Sequence, residues 1–460
     1  MDFEKYFAAI DANREKILAV SDAVWETPEL AFGEYESAET IIRALEDLGF
    51  RVTRNVADIP TAFTAQFGSG KPSIGILAEF DALSALNYEA GKAEPVYRTD
   101  AENGHGCGHN LFAAGSLAAA VAVKKYIEQT GNGSVTLFGC PGEETGGGKV
   151  YMARAHVFDG VDAVVSWHPG TKNAVTTRLS LANVKVDYSF RGVASHAGGS
   201  PQKGRSALDA AELMSVGVNY LREHMDTTSR VHYAYLDVGG EAPNIVQAHS
   251  KVRYLIRALT IDDARVLWER VNKIAQGAAM MTETEVTWNI WGAYSDVVTI
   301  PTLVRTGDEV MQTIPVPQAT EEDLAFGREL RKTMQLTKAE EAGPVYPDRV
   351  LPPAPPVVNG GSTDTGDVSR SCPTVQFHIG TWAIGTPAHS WQAVAQGKSP
   401  FAHEMVLYAG KVLSGTAIRL MEQPALLEQA KREFLEKTGG TYVCPVPDDV
   451  KPNIRPRKGV

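Results

Sequence analysis

Apolar residues recur along the chain at spacings that separate helices from strands. Residues 3–24 and 37–49 have apolar side chains three and four positions apart, which predicts two amphipathic helices. Residues 73–80, SIGILAEF, form a nearly continuous apolar run, as expected for a strand buried on both faces. Strands and helices then alternate as far as residue 167, which predicts an α/β fold with a mixed, largely parallel sheet. The further elements predicted here are strands 61–67, 134–139 and 162–167, a helix over 111–129 and a helix near 147–156.

The pattern changes near residue 183, where strand-like alternation begins again. From there the predicted elements follow a β-α-β-β-α-β order, which is the signature of a ferredoxin-like α+β domain. We therefore predict an inserted domain over residues 183–298, and a catalytic α/β domain formed by residues 1–182 and 299–460. The elements predicted from this point on are a strand starting at 183, helix 204–224, strands 230–237 and 250–258, helix 261–281, strand 284–291, strand 374–379 and helix 399–422.

Length and charge agree with this organisation and exclude several partners. A chain of 460 residues is expected to form two or three domains, and its 43% hydrophobic and 22% charged residues are ordinary for a globular protein. With 44 basic and 55 acidic residues the net charge is −11, so neither nucleic acid nor an anionic membrane is an expected partner. The longest apolar stretch, residues 111–123, has 13 residues, whereas a bilayer crossing needs roughly 20. It predicts a buried helix.

The cysteines and the first residues bear on the compartment. Only four cysteines are present and none form a CxxC pair, which is too few for a disulfide scaffold and predicts a reduced protein. The sequence starts MDFEK, which is polar and lacks the apolar segment of a secretory signal. We therefore expect a cytoplasmic protein.

Residues that can bind metal cluster at the ends of predicted strands, where open α/β sheets place their ligand sites. They lie around Asp81, in GHGCGHN (104–110) and CPGEE (140–144), and at His168 and His389. Thiolate, imidazole and carboxylate donors together suit Zn, Mn, Fe or Co better than Ca or Mg. Since one tetrahedral ion needs only four ligands, five candidates favour two ions that share a bridge. The candidate ligands are Cys107, His109, Glu144, His168 and His389.

Glu143 and Glu144 are adjacent at a predicted strand end, so their side chains point in different directions. One of them can bind metal while the other faces the reacting water. Hydrolysis of an amide needs a base that takes a proton from this water and delivers it to the leaving amine. We assign Glu143 to that role.

Each candidate also has an ordinary structural interpretation when it is taken alone. A cysteine in a Gly-rich turn is commonly a small buried residue, a Glu pair is commonly a solvated turn, and a single histidine is commonly structural. The occurrence of all these residues at strand ends of one α/β frame is what favours a site. His105 is undecided, and the histidines expected to be structural are His156, His224, His249 and His378.

Longer motifs carry a resemblance to a known family. They read AENGHGCGHN, FGCPGEE, SWHPG, GRSALDA, PNIVQA, STDTGDVS and GTPAHSWQ. In these motifs the chain resembles the aminoacylase/carboxypeptidase superfamily of metallohydrolases, in its amidohydrolase branch, and within that branch it is most similar to the aminobenzoyl-glutamate utilisation proteins. The resemblance runs from about residue 15 to about residue 445, so it covers nearly the whole chain.

The resemblance implies two divalent metal ions per subunit, Zn or Mn, and it assigns a role to each residue of the site. Cys107 takes the bridging place between the ions, and Glu143 is the catalytic base beside the ligand Glu144. The other implied ligands are His109, His168 and His389.

Three further positions, Asp81, Glu79 and Asn110, affect the surroundings of these ligands. Asp81 matches an aspartate that orients a ligand in many relatives, and we expect it to support the site from behind. Glu79 stands where many relatives have a ligating histidine, which makes a metal-binding role for it doubtful. Asn110 replaces the usual aspartate of the branch, so the surroundings of the metal are less negative and the preferred metal is left open.

The resemblance also implies that the inserted domain dimerises and covers the active site as a lid, often reaching into the partner subunit. His196 resembles the histidine that stabilises the oxyanion of the tetrahedral intermediate. Asn244 and Arg257 resemble groups that hold the substrate carboxylate, a task that suits the Arg fork. The expected assembly is a homodimer or a hetero-oligomer with a related subunit.

The implied reaction is hydrolysis of the amide bond of an N-acyl amino acid, with an aromatic acyl group and an acidic amino acid, such as p-aminobenzoyl-glutamate. Other enzymes of the same frame are alternatives: an indoleacetyl-aspartate hydrolase, a dipeptidase, or an aminoacylase for neutral amino acids. A further alternative is a partner subunit that is active only in a hetero-oligomer. The sequence alone does not separate these substrates.

Overall fold

The structure, a computed structural model, describes residues 3–177 and 179–457. Every strand predicted from the sequence is present. The strands are β1 (Arg51–Arg54), β2 (Phe63–Gly68), β3 (Ser73–Glu79), β4 (Leu83–Ser84), β5 (Asn103–Gly104), β6 (Ser134–Cys140), β7 (Ala163–Gly170), β8 (Ala174–Val175), β9 (Leu179–Ser180), β10 (Ala182–Arg191), β11 (Arg230–Asp237), β12 (His249–Ala258), β13 (Glu285–Tyr294), β14 (Val358–Asn359) and β15 (Thr374–Gly380).

Helices occupy most of the remaining chain. One of them differs from the prediction, because the single helix expected over 3–24 is split at Asn13. The helices are α1 (Glu4–Ala12), α2 (Arg14–Glu26), α3 (Tyr35–Asp47), α4 (His109–Thr130), α5 (Gly148–Arg154), α6 (Ala207–Leu221), α7 (Ile261–Thr282), α8 (Pro301–Thr313), α9 (Glu321–Arg331), α10 (Lys338–Ala342), α11 (Thr365–Ser371), α12 (Trp391–Gln396), α13 (Pro400–Glu422) and α14 (Pro424–Thr438).

Asn13 explains the split. Its backbone leaves the helical region, and its side-chain amide donates a hydrogen bond to the Ala9 carbonyl at 2.9 Å. An Asn side chain bonded in this way competes with the regular helical hydrogen bonds, which ends α1. The apolar spacing on both sides is helical, so the sequence pattern does not reveal the break.

The main sheet has seven strands in the order β1-β2-β6-β3-β7-β15-β8. Its four central strands, β6, β3, β7 and β15, are parallel, while the outer strands pair antiparallel. The predicted α/β class with a mixed, largely parallel sheet is therefore confirmed. Because the central strands are parallel, their carboxyl ends meet at one edge of the sheet, where a ligand crevice is expected.

The longest apolar stretch forms a buried helix, as predicted. It lies in α4, where Leu117 through Ala120 are fully buried, and α4 packs against β3 and α13. Gly410 of α13 comes so close that an added Cβ would lie 2.5 Å from the Ala118 Cβ. Among the described helices, none combines the length and apolar character that a bilayer crossing requires.

A second sheet holds four antiparallel strands in the order β11-β12-β10-β13, with α6 and α7 against one face. We call residues 182–294 the inserted unit; its element order is the predicted β-α-β-β-α-β order. On β10, Val184, Val186 and Tyr188 are buried beneath the helices. The alternate residues Lys185 and Asp187 therefore lie on the other face, which we call the open face. The domain boundaries at 182 and 298 stay a prediction.

Buried polar contacts join the inserted unit to the rest of the protein just after β13. The backbone N–H and the hydroxyl of Ser295 donate to the Asp367 carboxylate at 3.1 and 2.7 Å. Arg370 pairs with Asp296 at 2.8 Å. Burial raises the pKa of Asp367 to about 7, because the hydrogen bonds from Ser295 only partly offset the loss of water.

Candidate metal centre

Five parts of the chain converge at the carboxyl edge of the main sheet. Glu79 ends β3, and Glu143 lies in the loop that follows β6. His168 is inside β7, and His389 lies in the loop that follows β15. His109 is the first residue of α4, directly after the turn that carries Cys107. The strand ends at which the sequence predicted metal-binding residues therefore border a single crevice.

The donor atoms form three overlapping groups, each with atoms within 4.8 Å of one another. Two of the groups share Cys107, whose sulfur lies 3.4 Å from His168 Nε2. On the other side of the crevice, His389 Nε2 lies 3.3 Å from Glu144 Oε1. The groups are Cys107, His109 and His168; Cys107, Glu144 and His389; and Glu79, His109 and Glu143. We call Cys107, His109, Glu144, His168 and His389 the donor cluster.

Asp81 fixes two members of the donor cluster. Its Oδ1 lies 2.9 Å from His109 Nδ1, and its Oδ2 accepts a hydrogen bond from the Glu144 backbone N–H at 3.0 Å. With its Nδ1 proton directed at Asp81, His109 turns Nε2 toward the crevice. Burial works against charge on His109, but the acidic surroundings outweigh it and raise its pKa. The surroundings of His109 thus favour the positively charged form of its imidazole.

His168 has the tautomer that a metal ligand needs. Its Nδ1 lies 2.7 Å from the Pro169 carbonyl, which can only accept a hydrogen bond, so the proton resides on Nδ1. The Nε2 lone pair is left facing Cys107. Burial lowers the pKa of His168, which keeps the ring neutral and able to donate to a metal.

His389 is held in a strained backbone conformation. Its φ is +57°, in the left-handed region that residues other than glycine rarely adopt. The His389 N–H donates to the Gly106 carbonyl at 3.0 Å, which ties this loop to the turn before Cys107. Burial alone would raise the pKa of Glu144, but the hydrogen bond from His389 and the charge of His109 lower it to about 2. Glu144 is therefore an anionic donor.

Cys107 depends on a tight turn and on a cation. Gly108 has a φ of +76°, and a Cβ there would lie 2.9 Å from the Trp382 ring, so glycine is required beside the cysteine. Burial raises the pKa of the Cys107 thiol. Since only the thiolate is a strong ligand, a metal ion is what would keep this sulfur ionised.

The donor cluster fits divalent ions. Two donors bound to one ion at about 2.0–2.3 Å are separated by roughly 3.0–3.6 Å. One donor pair in each group that shares Cys107 has this spacing, Cys107 with His168 and Glu144 with His389. Three buried atoms of the crevice, Glu79 Oε2, His109 Nε2 and Glu144 Oε1, have no hydrogen bond of regular geometry among the described residues. Each instead lies 3.1–3.3 Å from another donor atom of the crevice. Buried polar atoms nearly always have regular hydrogen bonds, so this arrangement suits a bound cation.

Glu143 faces the cleft that the donor cluster borders. The cleft encloses about 310 Å³ and is lined by Glu143, His389 and, on its far wall, Ser362. Burial and the nearby carboxylates of Glu79 and Asp364 raise the pKa of Glu143 well above its usual value. Glu143 is thus a carboxylate with raised basicity beside the place where a substrate would react.

The residues expected to come from the inserted unit lie in two different places. Arg257 reaches the cleft wall, where it donates to the Ser362 hydroxyl at 2.7 Å and to the Gly360 carbonyl at 3.2 Å. His196 and Asn244 are instead exposed on neighbouring loops, and neither is among the described residues that line the cleft. The Asn244 carbonyl accepts a hydrogen bond from the Ala197 N–H at 2.9 Å, so the two loops are tied together.

The histidines outside the donor cluster have different surroundings in the structure. His105 is buried, its Nε2 lies 2.9 Å from the Val24 carbonyl, and burial lowers its pKa to about 4, so it is a neutral structural residue. His156 and His249 are exposed and pair with nearby aspartates. His378 was expected to be structural, yet it lines the cleft as the register partner of His168 on β15.

Sequence reasoning missed two buried charged residues beside the donor cluster, Lys149 and Asp364, and left the role of a third, Glu79, doubtful. Lys149 pairs with Glu79 at 2.8 Å and with Asp364 at 2.5 Å, and Glu79 in turn lies 3.1 Å from His109 Nε2. Lys149 ends the segment TGGGK, which directly follows the motif FGCPGEE, and Asp364 lies within the motif STDTGDVS. The motifs indicated the family, but they gave no reason to single out these two residues. The doubt about Glu79 arose from the family pattern, and its contacts place it at the centre of the crevice.

An α/β sheet whose carboxyl edge gathers thiol, imidazole and carboxylate donors has the architecture of a metal-dependent hydrolase. Comparison with protein families leads to the same class. The model of peptidase family M20/M25/M40 matches residues 75–346, and the chain belongs to that family. It is a hydrolase that acts on amide bonds.

Individual relatives cover nearly the whole chain. It is 42% identical to a subunit of p-aminobenzoyl-glutamate hydrolase from Escherichia coli (strain K12), over 97% of this chain and 97% of that protein. It is 30% identical to Xaa-Arg dipeptidase of Mus musculus, over 92% and 90% of the two chains. The crystal structure of an aminobenzoyl-glutamate utilization protein from Klebsiella pneumoniae covers 91% of this chain and 98% of its own, with a TM-score of 0.63 and 20% identity, and shares the fold.

Proposed function

We propose that this chain is a two-metal amidohydrolase that cleaves the amide bond of N-acyl amino acids. The observation that carries the proposal is the pair of donor groups that share Cys107, because one shared thiolate can bridge two ions. When bound, two divalent ions would lower the pKa of water and polarise the carbonyl of the scissile amide. Zn and Mn are the proposed metals, since both accept imidazole and carboxylate ligands.

Glu143 moves the proton in this reaction. It takes a proton from the attacking water and delivers it to the nitrogen of the leaving amine. Burial and the carboxylates of Glu79 and Asp364 raise its pKa, which favours its acceptance of a proton. Asp81 holds His109 and the Glu144 backbone, so it is a positioning residue.

His196 is proposed to donate to the oxyanion of a partner subunit's site. Its Nδ1 accepts hydrogen bonds from the Gly198 and Gly199 N–H groups at 3.2 and 2.9 Å, so its proton resides on Nε2. That N–H faces outward from an exposed loop and suits developing negative charge. The neighbouring Asn244 is proposed to hold the substrate carboxylate from the same loop pair.

An acidic amino acid on the leaving side is supported by cations on the open face of the inserted unit. Arg257 lies opposite Asn183 on β10, and Lys185 is two residues further along that strand. The Lys185 ammonium lies over the rings of Tyr294 and Trp291, 4.0 and 5.1 Å from their centroids. It has no carboxylate partner among the described residues, whereas Asp187 pairs with Arg253. A substrate with two carboxylates would engage both Arg257 and Lys185.

The leading substrate is p-aminobenzoyl-glutamate. Its glutamate supplies the two carboxylates, and the 42% identical relative is named for its hydrolysis. The rival substrates are those of the dipeptidase named among the relatives, of an indoleacetyl-aspartate hydrolase and of an aminoacylase for neutral amino acids. The cytoplasmic location expected from the sequence stays a prediction.

Assembly with a second subunit is proposed through β11 and α6. β11 is an edge strand of the second sheet, and next to it α6 exposes Val216 at 49% and Tyr220 at 74%. An unpaired edge strand beside exposed apolar side chains favours pairing with another chain. The occupant is a second copy or a related subunit, as the word subunit in the name of the E. coli relative suggests.

A substrate panel tests the proposed function. The purified chain, loaded with Mn²⁺ or Zn²⁺, is given p-aminobenzoyl-glutamate, p-aminobenzoyl-alanine, indoleacetyl-aspartate and an Xaa-Arg dipeptide. We expect the highest kcat/KM for p-aminobenzoyl-glutamate, at least about tenfold above the alanine analogue, because the analogue lacks one carboxylate. A dipeptide cleaved faster would contradict the substrate. Turnover that appears only after a related subunit is added would favour the hetero-oligomer.

A further inference from the structure

We propose that Glu79 gives a carboxylate oxygen to the metal ion bound by His109, and that Lys149 and Asp364 hold this carboxylate in position. The inference rests on the two-metal centre proposed above and adds a ligand to its five candidates. It assigns a function to a residue whose role the sequence left open. Three features of the crevice support it: an unexplained close contact, a clamp and a buried charge.

The close contact is between Glu79 Oε2 and His109 Nε2, which lie 3.1 Å apart. Both atoms are buried, and among the described residues neither has a hydrogen bond of regular geometry. Asp81 engages Nδ1 of His109, so Nε2 is the ring atom that faces Glu79. The separation of Nε2 and Oε2 is the one expected of two donors that bind one ion at about 2.0–2.3 Å. Glu79, His109 and Glu143 also form one of the three donor groups of the crevice.

The clamp fixes the direction of the Glu79 carboxylate. Its other oxygen, Oε1, pairs with the Lys149 ammonium at 2.8 Å. Lys149 is held in turn by Asp364, which receives its ammonium at 2.5 Å and its backbone N–H at 3.0 Å. The three residues are at most 1% exposed. With Oε1 pinned, rotation of the carboxylate is blocked and Oε2 stays directed at His109.

The buried charge is not balanced by Lys149 alone. Lys149 carries one positive charge, and Glu79 and Asp364 together carry two negative charges when ionised. A buried charge without a partner is strongly unfavourable, so a second positive charge is needed beside Glu79. The His109 imidazole, 3.1 Å away, supplies it when protonated, and a divalent ion bound by Glu79 and His109 would supply it in the metal-loaded protein.

Glu34 shows what a buried structural glutamate looks like in the same protein. It is fully buried near the crevice, as Glu79 is. Both of its oxygens are satisfied, one by the Gly142 N–H at 2.8 Å and one by the Thr61 hydroxyl at 3.1 Å. Glu79 has one satisfied oxygen and one that faces a ligand atom. Glu34→Gln is therefore a matched control for Glu79→Gln.

The first experiment measures bound metal directly. Wild type, Glu79→Gln and Glu34→Gln are loaded with Zn²⁺, dialysed against a graded series of chelator concentrations, and analysed for zinc per chain. We expect wild type and Glu34→Gln to hold two ions together. Glu79→Gln should keep one ion and release the other at chelator levels at least about tenfold lower. Two ions held equally well by Glu79→Gln would overturn the inference.

The second measurement separates a ligand from a nearby supporting group and does not depend on a variant that folds. In a crystal structure of the zinc-loaded wild type, a Glu79 oxygen should lie about 2.0–2.2 Å from an ion. A Glu79 carboxylate hydrogen-bonded to His109 and away from both ions would refute the proposal. Wild type that binds no zinc at all would instead remove the two-metal centre and this inference with it, so the two failures are distinguishable.

Discussion

The donor cluster and the open face of the inserted unit differ in how firmly their side chains are held. In the donor cluster, Asp81 fixes His109, the Pro169 carbonyl fixes His168, and Gly106 ties down the loop of His389. On the inserted unit, His196 and Asn244 are exposed on loops. The members of the donor cluster therefore lie together within one chain, whereas His196 and Asn244 do not line its cleft.

The two regions also differ in charge. Around the crevice the carboxylates of Glu79, Glu143 and Glu144 surround the imidazoles and one thiol. The open face carries Lys185, Arg253 and Arg257, of which Arg253 is neutralised by Asp187. An acidic floor holds cations, and a basic cover suits an anionic substrate. We therefore propose that the acidic crevice, here called the floor, binds metal, and that the basic open face, here called the cover, selects the substrate.

The largest effect on kcat is expected from substitution of Glu143 in the crevice. Glu143→Gln should lower kcat by about 10²–10⁴ or more and leave both metal ions in place, because Glu143 moves the proton and is not a proposed ligand. The assay follows p-aminobenzoate release together with zinc content. Glu144→Gln is the comparison, since loss of an anionic ligand should lower zinc content as well. Substantial turnover by fully loaded Glu143→Gln would exclude the role.

Substitution of His196 tests whether the oxyanion donor of each active site comes from the partner subunit. His196→Ala should lose about 10²–10³ in kcat, the effect of removing an oxyanion donor. If His196 acts on the partner, mixed subunits of His196→Ala and Glu143→Gln should recover part of the activity, because one of the two sites then has both groups. Inactive mixtures whose subunits have exchanged would place His196 on its own chain's site.

A smaller effect is expected on substrate selection. Arg257→Ala should raise KM by roughly 10–100-fold for substrates with a free carboxylate, as for loss of a hydrogen bond to a charged group. Lys185→Met should reduce the preference for p-aminobenzoyl-glutamate over the glutamine analogue by about tenfold. Lys251→Met, which removes a cation on the same face that contacts Asp187, is the control. Equal losses on the carboxylate and its amide would argue against the assignment.

The smallest effect concerns the junction between the two regions. Burial raises the pKa of Asp367 to about 7 from its ordinary value of 3.8. Because the folded pKa is the higher one, the stability from Asp367 is present below about pH 4 and is lost as the pH rises through about 7. The slope over this window is at most about 1.4 kcal/mol per pH unit.

Asp367→Asn should flatten this pH dependence, because the amide oxygen still accepts from Ser295 but does not ionise. The measurement is the free energy of unfolding of the metal-free protein by denaturant between about pH 4.5 and 8. Asp296→Asn, which weakens the Arg370 contact of the same junction, is the control. An unchanged slope in Asp367→Asn would show that another group is responsible.

The sequence predicted the strands and the donor cluster because their signals are local. Apolar runs mark strands, and parallel strands bring their carboxyl ends together, so Cys107, Glu144 and His168 had to be neighbours once the α/β order was clear. The motifs added the family and the roles. The break at Asn13 was missed because its cause is a single side-chain hydrogen bond that leaves the apolar spacing intact.

The buried network was missed because no local pattern encodes it. Lys149, Glu79 and Asp364 lie on three separate elements, and Asp364 is 215 residues from Lys149. A lysine at the start of a helix ordinarily reaches solvent, and only the packed sheet shows that this one is enclosed by two carboxylates. The position of His378 in the cleft was not predicted for a similar reason, since it depends on the register between β15 and β7.

The most direct test of the two-metal centre, on which the account depends, is a metal titration of the purified single chain. Metal-free protein receives increasing Mn²⁺ or Zn²⁺ while bound metal and p-aminobenzoate release are measured together. We predict that activity rises with bound metal and reaches its maximum at two ions per chain. Full activity in the metal-free protein, or a maximum at one ion, would contradict the two-metal centre.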